Sequence, residues 1–256
     1  MTAPLLIAQG VTKKYGDFTA VADVDLVVHP GRIHSVIGPN GAGKTTLFHA
    51  LTGKIPITSG SIKINGEEIS RLPDYLRVKR GISRSFQVTS IFQSLSVREN
   101  LRLAIQGRQP WRFLRLSGRA DAARREAGKR DTLLERFGLS EVADRAAGLL
   151  SHGQQRRLEV AMAVAADPLL IFLDEPTSGM GIDDIQEMKR LILELKNEGY
   201  AVVLVEHNMD IVMGISSVIT VMQFGRVLVE GEPDGIRNDE RVRKAYLGNM
   251  ITGGAA

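Results

Sequence analysis

Phosphate chemistry is the first thing the residue types of this chain allow. Gly38-Pro39-Asn40-Gly41-Ala42-Gly43-Lys44-Thr45-Thr46 packs three glycines, a lysine and two hydroxyls into nine residues. A phosphate needs several N–H donors converging on it at close range. That requires a loop that turns tightly without Cβ obstruction and delivers a helix N-terminus. Gly38, Gly41 and Gly43 permit such a turn, Lys44 adds a point charge for β- and γ-phosphates, and the Thr45 hydroxyl is placed to ligate Mg²⁺. The stretch reads as a P-loop. The alternative, a glycine-rich turn that fits by chance, is disfavoured by the flanks: an apolar run, 33–37, precedes it, and Leu47, Phe48 and Leu51 follow at helical spacing.

Two further stretches carry carboxylates and a histidine. The apolar run 169–173 ends in Asp174-Glu175, as a buried parallel strand would, at the strand end where ligands of open α/β sheets bind. Two carboxylates there are costly unless a cation or an incoming proton uses them. Asp174 suits Mg²⁺, and Glu175 suits general-base work on a water. The run 201–205 ends in Glu206-His207 at the equivalent place. A lone histidine is usually structural, but this position favours sensing of a γ-phosphate.

The elements that must position these residues follow from patterning. Residues 5–15 and 19–28 alternate around Tyr15-Gly16-Asp17, which predicts antiparallel strands ahead of the P-loop strand. Tyr15 then stands at a strand end, where its ring either stacks on a purine or caps a sheet edge. Residues 59–66 read as a short strand ending in an Asn-Gly hairpin turn. Residues 82–86 read as another strand, ending at Gln87, which either reaches a metal or water or is a plain surface residue. A helical pattern covers 97–105. Residues 106–130 then turn basic, with Arg108, Arg112, Arg115, Arg119, Arg124, Arg125, Lys129 and Arg130 against Asp121 and Glu126. This insertion is either a solvated helical face or a contact for lipid headgroups or a membrane partner. In Leu150-Ser151-His152-Gly153-Gln154-Gln155-Arg156-Arg157, Ser151 takes an N-cap position ahead of a buried helix. Such a helix start offers N–H groups to an anion, although within one chain it serves simply as a cap.

Composition sets the outer bounds. A chain of 256 residues, 43% of them hydrophobic, buries a sizeable core, and one α/β domain with a helical excursion is expected. Without cysteine, disulfides and thiolate metal sites are excluded, and a reducing cytosol is compatible. No signal peptide is recognisable at the start, and no apolar run approaches the ~20 residues needed to cross a bilayer. A net charge of +4 and a pI near 9.4 decide nothing between lipid, nucleic acid and ordinary solubility.

Taken in order and spacing, GPNGAGKTT, the Gln87 junction, LSHGQQ, LLIFLDE and the strand end at His207 resemble the ATP-binding subunits of ABC transporters over about residues 5–248. The signature-like LSHGQQ is the specific part. The resemblance implies a P-loop NTPase of the ABC type, an α/β fold whose mixed sheet core carries an antiparallel β subdomain and a helical subdomain. It implies one domain over 1–256, with 1–86 and 168–250 as the catalytic core and 87–167 as the helical part. ATP and Mg²⁺ are the implied cofactors. Tyr15 is assigned to the adenine; Gly38, Pro39, Asn40, Gly41, Ala42, Gly43, Lys44, Thr45 and Thr46 to the phosphates; Thr45, Gln87 and Asp174 to the metal. Glu175 becomes the catalytic base, His207 the switch histidine, and Gln87 the link to a transmembrane partner. Ser151, Gly153 and Gln154 resemble the signature that closes over ATP held by the opposite subunit, so the anion of that helix start is bound in trans.

Two departures stand out. His152 replaces the first signature glycine, and Ser178-Gly179-Met180-Gly181 lacks the aspartate that usually ends a D-loop. Both are similar to the subgroup serving importers of branched-chain and other hydrophobic amino acids, as are the basic insertion and the ending at 243–248. The expected protein is an importer ATPase that works through separate permease subunits, peripheral on the cytoplasmic face of the cell membrane. It pairs with a second ATP-binding subunit, a heterodimer being favoured by Gly181. Other ABC systems, for lipopolysaccharide export or urea and amide uptake, share this engine. A nucleic-acid-linked ABC ATPase is disfavoured by the lack of zinc sites, coiled-coil inserts or tandem nucleotide domains.

Overall fold

Two sheets flank the helix that follows the P-loop. The computed structural model describes residues 3–84, 91–107 and 119–252. Strands β1 (Leu6–Tyr15) and β2 (Phe18–Val28) pair antiparallel. On its other side β1 pairs with β4 (Ser59–Ile64), which turns through Asn65, at φ 48°, into β5 (Glu67–Glu68). The resulting sheet has the order β2-β1-β4-β5. The second sheet contains β3 (Ile33–Ile37), β6 (Ile82–Arg84), β7 (Leu170–Asp174), β8 (Ala201–Val205), β9 (Val218–Gln223) and β10 (Arg226–Gly231), in the order β10-β9-β3-β8-β7-β6. From β9 to β6 every pair is parallel, and β10 closes one edge antiparallel. Every residue of β3, β7 and β8 is buried, which is why β7 up to Leu173 and all of β8 read as unbroken apolar runs rather than alternating ones, while β3 also buries His34 and Ser35.

Nine helices connect and cover the strands among the described residues: α1 (Lys44–Thr52), α2 (Asp74–Lys79), α3 (Val97–Gly107), α4 (Arg119–Arg136), α5 (His152–Ala165), α6 (Ile182–Asn197), α7 (Met209–Ile215), α8 (Pro233–Asn238) and α9 (Glu240–Thr252). Alternate residues of β7 serve opposite cores, as a pleated strand requires. Leu170 and Phe172 join Leu47, Phe48 and Leu51 of α1 and the strands of the antiparallel sheet. Ile171 and Leu173 join α3, α4, α5 and α6 through Leu101, Leu134, Leu158 and Leu191. Phe48 meets Phe172 edge-on, with centroids 5.4 Å apart, a contact of about 1 kcal/mol beyond its burial. A third core, Ile37, Val212, Ile219, Val221, Ile236 and Val242, ties β3 and β9 to α7, α8 and α9. Buried Arg77 closes the other end of α1: its guanidinium donates to the carbonyls of Ala50, Leu51, Ser70 and Leu72. Those include the Leu51 oxygen in the last turn of α1, one of the helix-terminal carbonyls left without an intrahelical partner. Among the described residues no helix is long and apolar enough to cross a membrane.

Candidate functional site

Parallel pairing of β7 with β8 and of β8 with β3 aligns three C-terminal strand ends along one sheet edge. The loop 38–43 leaves β3 there, Asp174 ends β7, and Glu206-His207 leaves β8. The loop lies tight against the next strand: a Cβ on Gly38, whose φ is +149°, would overlap the carbonyl oxygen of Met222 in β9. Only glycine serves at that position. The loop delivers the N-terminus of α1, whose N-cap residue Gly43 makes no side-chain cap, so the first-turn N–H groups face outward unanswered by a side chain. Lys44 is buried, and its Nζ donates to the Gly38 and Pro39 carbonyls at 2.7 and 3.1 Å. Burial lowers its pKa, opposed by the charges of Glu175 and Asp174. Thr45 and Thr46 follow in the first turn, half-buried; Ala42 is buried, and Asn40 and Gly41 are exposed.

Asp174 is 1% exposed, and its carboxyl is pushed up to about 6, first by burial and then by the Glu175 charge. Glu175 adopts a left-handed backbone, φ 47°, which is uncommon for a non-glycine residue and turns the chain off the strand end. Its Oε1 lies 2.6 Å from His207 Nε2. A carboxylate only accepts, so the shared proton resides on Nε2. The pair is accessible, with the imidazole 46% and the carboxylate 23% exposed. Glu206, one residue before the histidine, is buried beside them. Sequence reading placed Glu206 at the strand end without giving it a task. Three carboxylates at neighbouring strand ends, 174, 175 and 206, are the available signal.

The donor set fits Mg²⁺. That ion takes one or two carboxylates and completes its shell with phosphate oxygens and water. Among the described residues no three acidic or histidine side chains gather into a metal cage, while Asp174, destabilised as an anion by burial and by Glu175, is relieved by a cation. Asp174 and the Thr45 hydroxyl are the residues that would hold it; when bound, the ion neutralises phosphate charge.

The helix start at 151–154 packs against the segment that follows Glu175, through Gly179 and Asp184. Ser151 Oγ accepts from Gln154 N at 3.2 Å and Gln154 Oε1 accepts from Ser151 N at 3.0 Å, a reciprocal capping box. A Cβ on Gly153 would overlap the Asp184 carboxylate, which Arg157 holds at 2.7 Å. The His152 ring packs on Gly179, two residues before Gly181: the ring's Cε1 is 3.2 Å from where a Gly179 Cβ would stand. Gly181 caps α6 without a side chain, and Asp183 and Asp184 follow in its first turn. Among the described residues no hydrogen bond or ion pair joins Ser151 or Gln154 to the loop 38–46. Tyr15 stands at the β1–β2 hairpin, 51% exposed, with Lys13 Nζ 4.9 Å from its ring centre. Gln87 lies outside the described residues.

Comparison with known proteins agrees with this geometry. Residues 21–178 match the family described as ABC transporter, and residues 226–250 match that described as branched-chain amino acid ATP-binding cassette transporter. The chain is 40% identical over 255 residues to the high-affinity branched-chain amino acid transport ATP-binding protein BraF of Pseudomonas aeruginosa, covering 97% of this chain and 99% of that one. It is 36% identical over 247 residues to the lipopolysaccharide export system ATP-binding protein LptB of Haemophilus influenzae, covering 96% and 98%. Among solved structures it resembles the dimeric post-hydrolysis state of the ATP-binding cassette MJ0796 bound to ADP and phosphate, with TM-score 0.77 and 25% identity over 90% of this chain and 99% of that one. With its phosphate loop, its strand-end carboxylates and these relatives along nearly its whole length, the chain belongs to the ABC transporter ATPases.

Proposed function

We propose that this protein is the ATP-hydrolysing subunit of an importer for branched-chain or related amino acids, driving separate membrane permease subunits from the cytoplasmic face. The observation that carries the reading is the Glu175–His207 pair, 2.6 Å apart on the sheet edge that also presents the P-loop. In this reading the 38–46 loop and Lys44 hold the phosphates, Tyr15 the adenine, and Asp174 with Thr45 the Mg²⁺. Glu175 takes a proton from the attacking water while His207 orients the γ-phosphate. Gln87 relays to the permease. Ser151, Gly153 and Gln154 meet the ATP of a second subunit, and the missing carboxylate at Gly181 favours a sister chain over a second copy. Residues 1–86 and 168–250 form the catalytic core, and 87–167 the helical part that carries the signature.

The match over residues 226–250 supports amino-acid import over lipopolysaccharide export, whose ATPase LptB shares the same engine. Two measurements test the proposal. Affinity capture of the tagged chain from solubilised membranes should recover permease subunits of an amino-acid importer; recovery of an export complex overturns the substrate class. Glu175→Gln should keep ATP binding and slow hydrolysis by ~10²–10⁴, the usual contribution of a general base. A rate within a few-fold of the parent removes Glu175 from that role.

A further inference from the structure

The buried carboxylate of Glu206 is occupied from two sides. Its Oε1 accepts from Thr177 N at 3.0 Å and from Thr177 Oγ1 at 2.6 Å. Its Oε2 accepts from His207 N at 3.0 Å and from Asn208 N at 3.4 Å. Thr177 lies two residues beyond Glu175, in the loop that leaves β7. His207 and Asn208 begin the loop that leaves β8. One side chain therefore spans the two loops that carry the base and the histidine, and each of its oxygens serves one loop. Burial makes the bridge consequential: Glu206 is 3% and Thr177 5% exposed, and hydrogen bonds from N–H and O–H groups to a buried carboxylate are stronger than neutral ones.

The backbone supplies a reason for such a bridge. Glu175 sits at φ 47°, a conformation that persists in a bulky residue only where surrounding structure holds it. The local holds are Glu175 N donating to Val205 O at 2.8 Å and Ser178 N donating to Glu175 O at 3.1 Å. Glu206 adds the tie from the middle of that turn to the histidine strand.

We infer that Glu206 is a positioning residue: its carboxylate clamps the Thr177 turn to the His207 backbone and so fixes the separation of the Glu175 and His207 side chains. The inference rests on the reading of Glu175 as base. Glu206 touches no substrate. Glutamine at 206 keeps the shape but offers one acceptor oxygen, and its NH₂ must face N–H donors on the other side. One loop is released, and Glu175 and His207 lose their common frame.

The test measures ATP affinity and steady-state hydrolysis for four forms of the full chain: parent, Glu206→Gln, Glu175→Gln and the double variant. Displacement of a catalytic group by about 1 Å costs on the order of 10²-fold, so Glu206→Gln should lower kcat by ~10–100-fold while ATP affinity stays within about two-fold. In the Glu175→Gln background the same substitution should lower kcat by less than about three-fold, because residues acting through one group are not additive. Thr177→Val, which removes a single donor, should give a smaller loss of the same kind, and it substitutes if Glu206→Gln fails to fold. Two results overturn the clamp: a Glu206→Gln rate near the parent's while Glu175→Gln is slow, or an equal loss in both backgrounds. If Glu175→Gln itself turns over normally, the base assignment fails instead, and the two failures are told apart.

Discussion

Asn at position 174 should make the empty protein more stable and less useful. The substitution keeps the side chain's shape and removes its charge. In the parent, burial and the neighbouring Glu175 raise the Asp174 carboxyl from 3.8 to about 6. That is about two units, and at 1.36 kcal/mol per unit it corresponds to at most about 3 kcal/mol. The sign follows from proton binding: the folded state holds this proton more tightly than the unfolded one. The stability so conferred is complete below about pH 4 and is lost as pH rises through about 6. Thermal unfolding without nucleotide, in chelator, should therefore give parent and Asp174→Asn similar midpoints near pH 4. Above about pH 6 the variant should pull ahead by several degrees, since about 1 kcal/mol moves the midpoint of a domain this size by roughly 2–4 °C. Adding Mg²⁺ and ATP should stabilise the parent more than the variant. An asparagine variant no more stable than the parent at neutral pH, or a gap that persists undiminished into acid, would refute the reasoning.

Ser151→Arg should leave ATP binding by the single subunit nearly unchanged yet block ATP-dependent association, because Ser151 is exposed and makes no bond to the loop 38–46; loss of single-subunit binding, by equilibrium titration, counts against it. Gly153→Ala should destabilise by ~1–3 kcal/mol as overpacking does, since the new methyl meets the Asp184 carboxylate. Asp184→Ala in the same chain should recover part of that loss in denaturant titrations, and no recovery means the clash lies elsewhere.

Much of the fold and of the candidate site is legible in the sequence. The apolar runs ending at 37, 173 and 205 marked three buried strands because parallel strands covered on both faces cannot alternate. Their chemistry sat in the residue or two after each run. The Asn65-Gly66 turn was readable because only a few residue types accept positive φ. Partnerships across long separations were not. Arg77 looks like one more charge on a short helix, and nothing local says that it closes α1, 26 residues away. Glu206 resembles an ordinary acid before a histidine, and its partner Thr177 is 29 residues distant. The packing of His152 on Gly179 joins two loops that sequence order keeps apart. Strand order gives the reason: β7 and β8 are neighbours only once the sheet has formed.

The capping box at the start of α5 carries a last consequence. Ser151 Oγ already accepts the Gln154 N–H, and Gln154 returns the bond, so this helix end travels with its own substitute for an anion. In the proposed pairing, a phosphate oxygen arriving from a second subunit would displace a serine hydroxyl, and the N–H would exchange a neutral acceptor for a charged one. Such an exchange adds only the difference between the two bonds. When such an oxygen departs, the serine is at hand to take the donor back, and the N–H keeps an acceptor during separation. A cap of this kind leaves the helix end satisfied both before such a contact forms and after it parts.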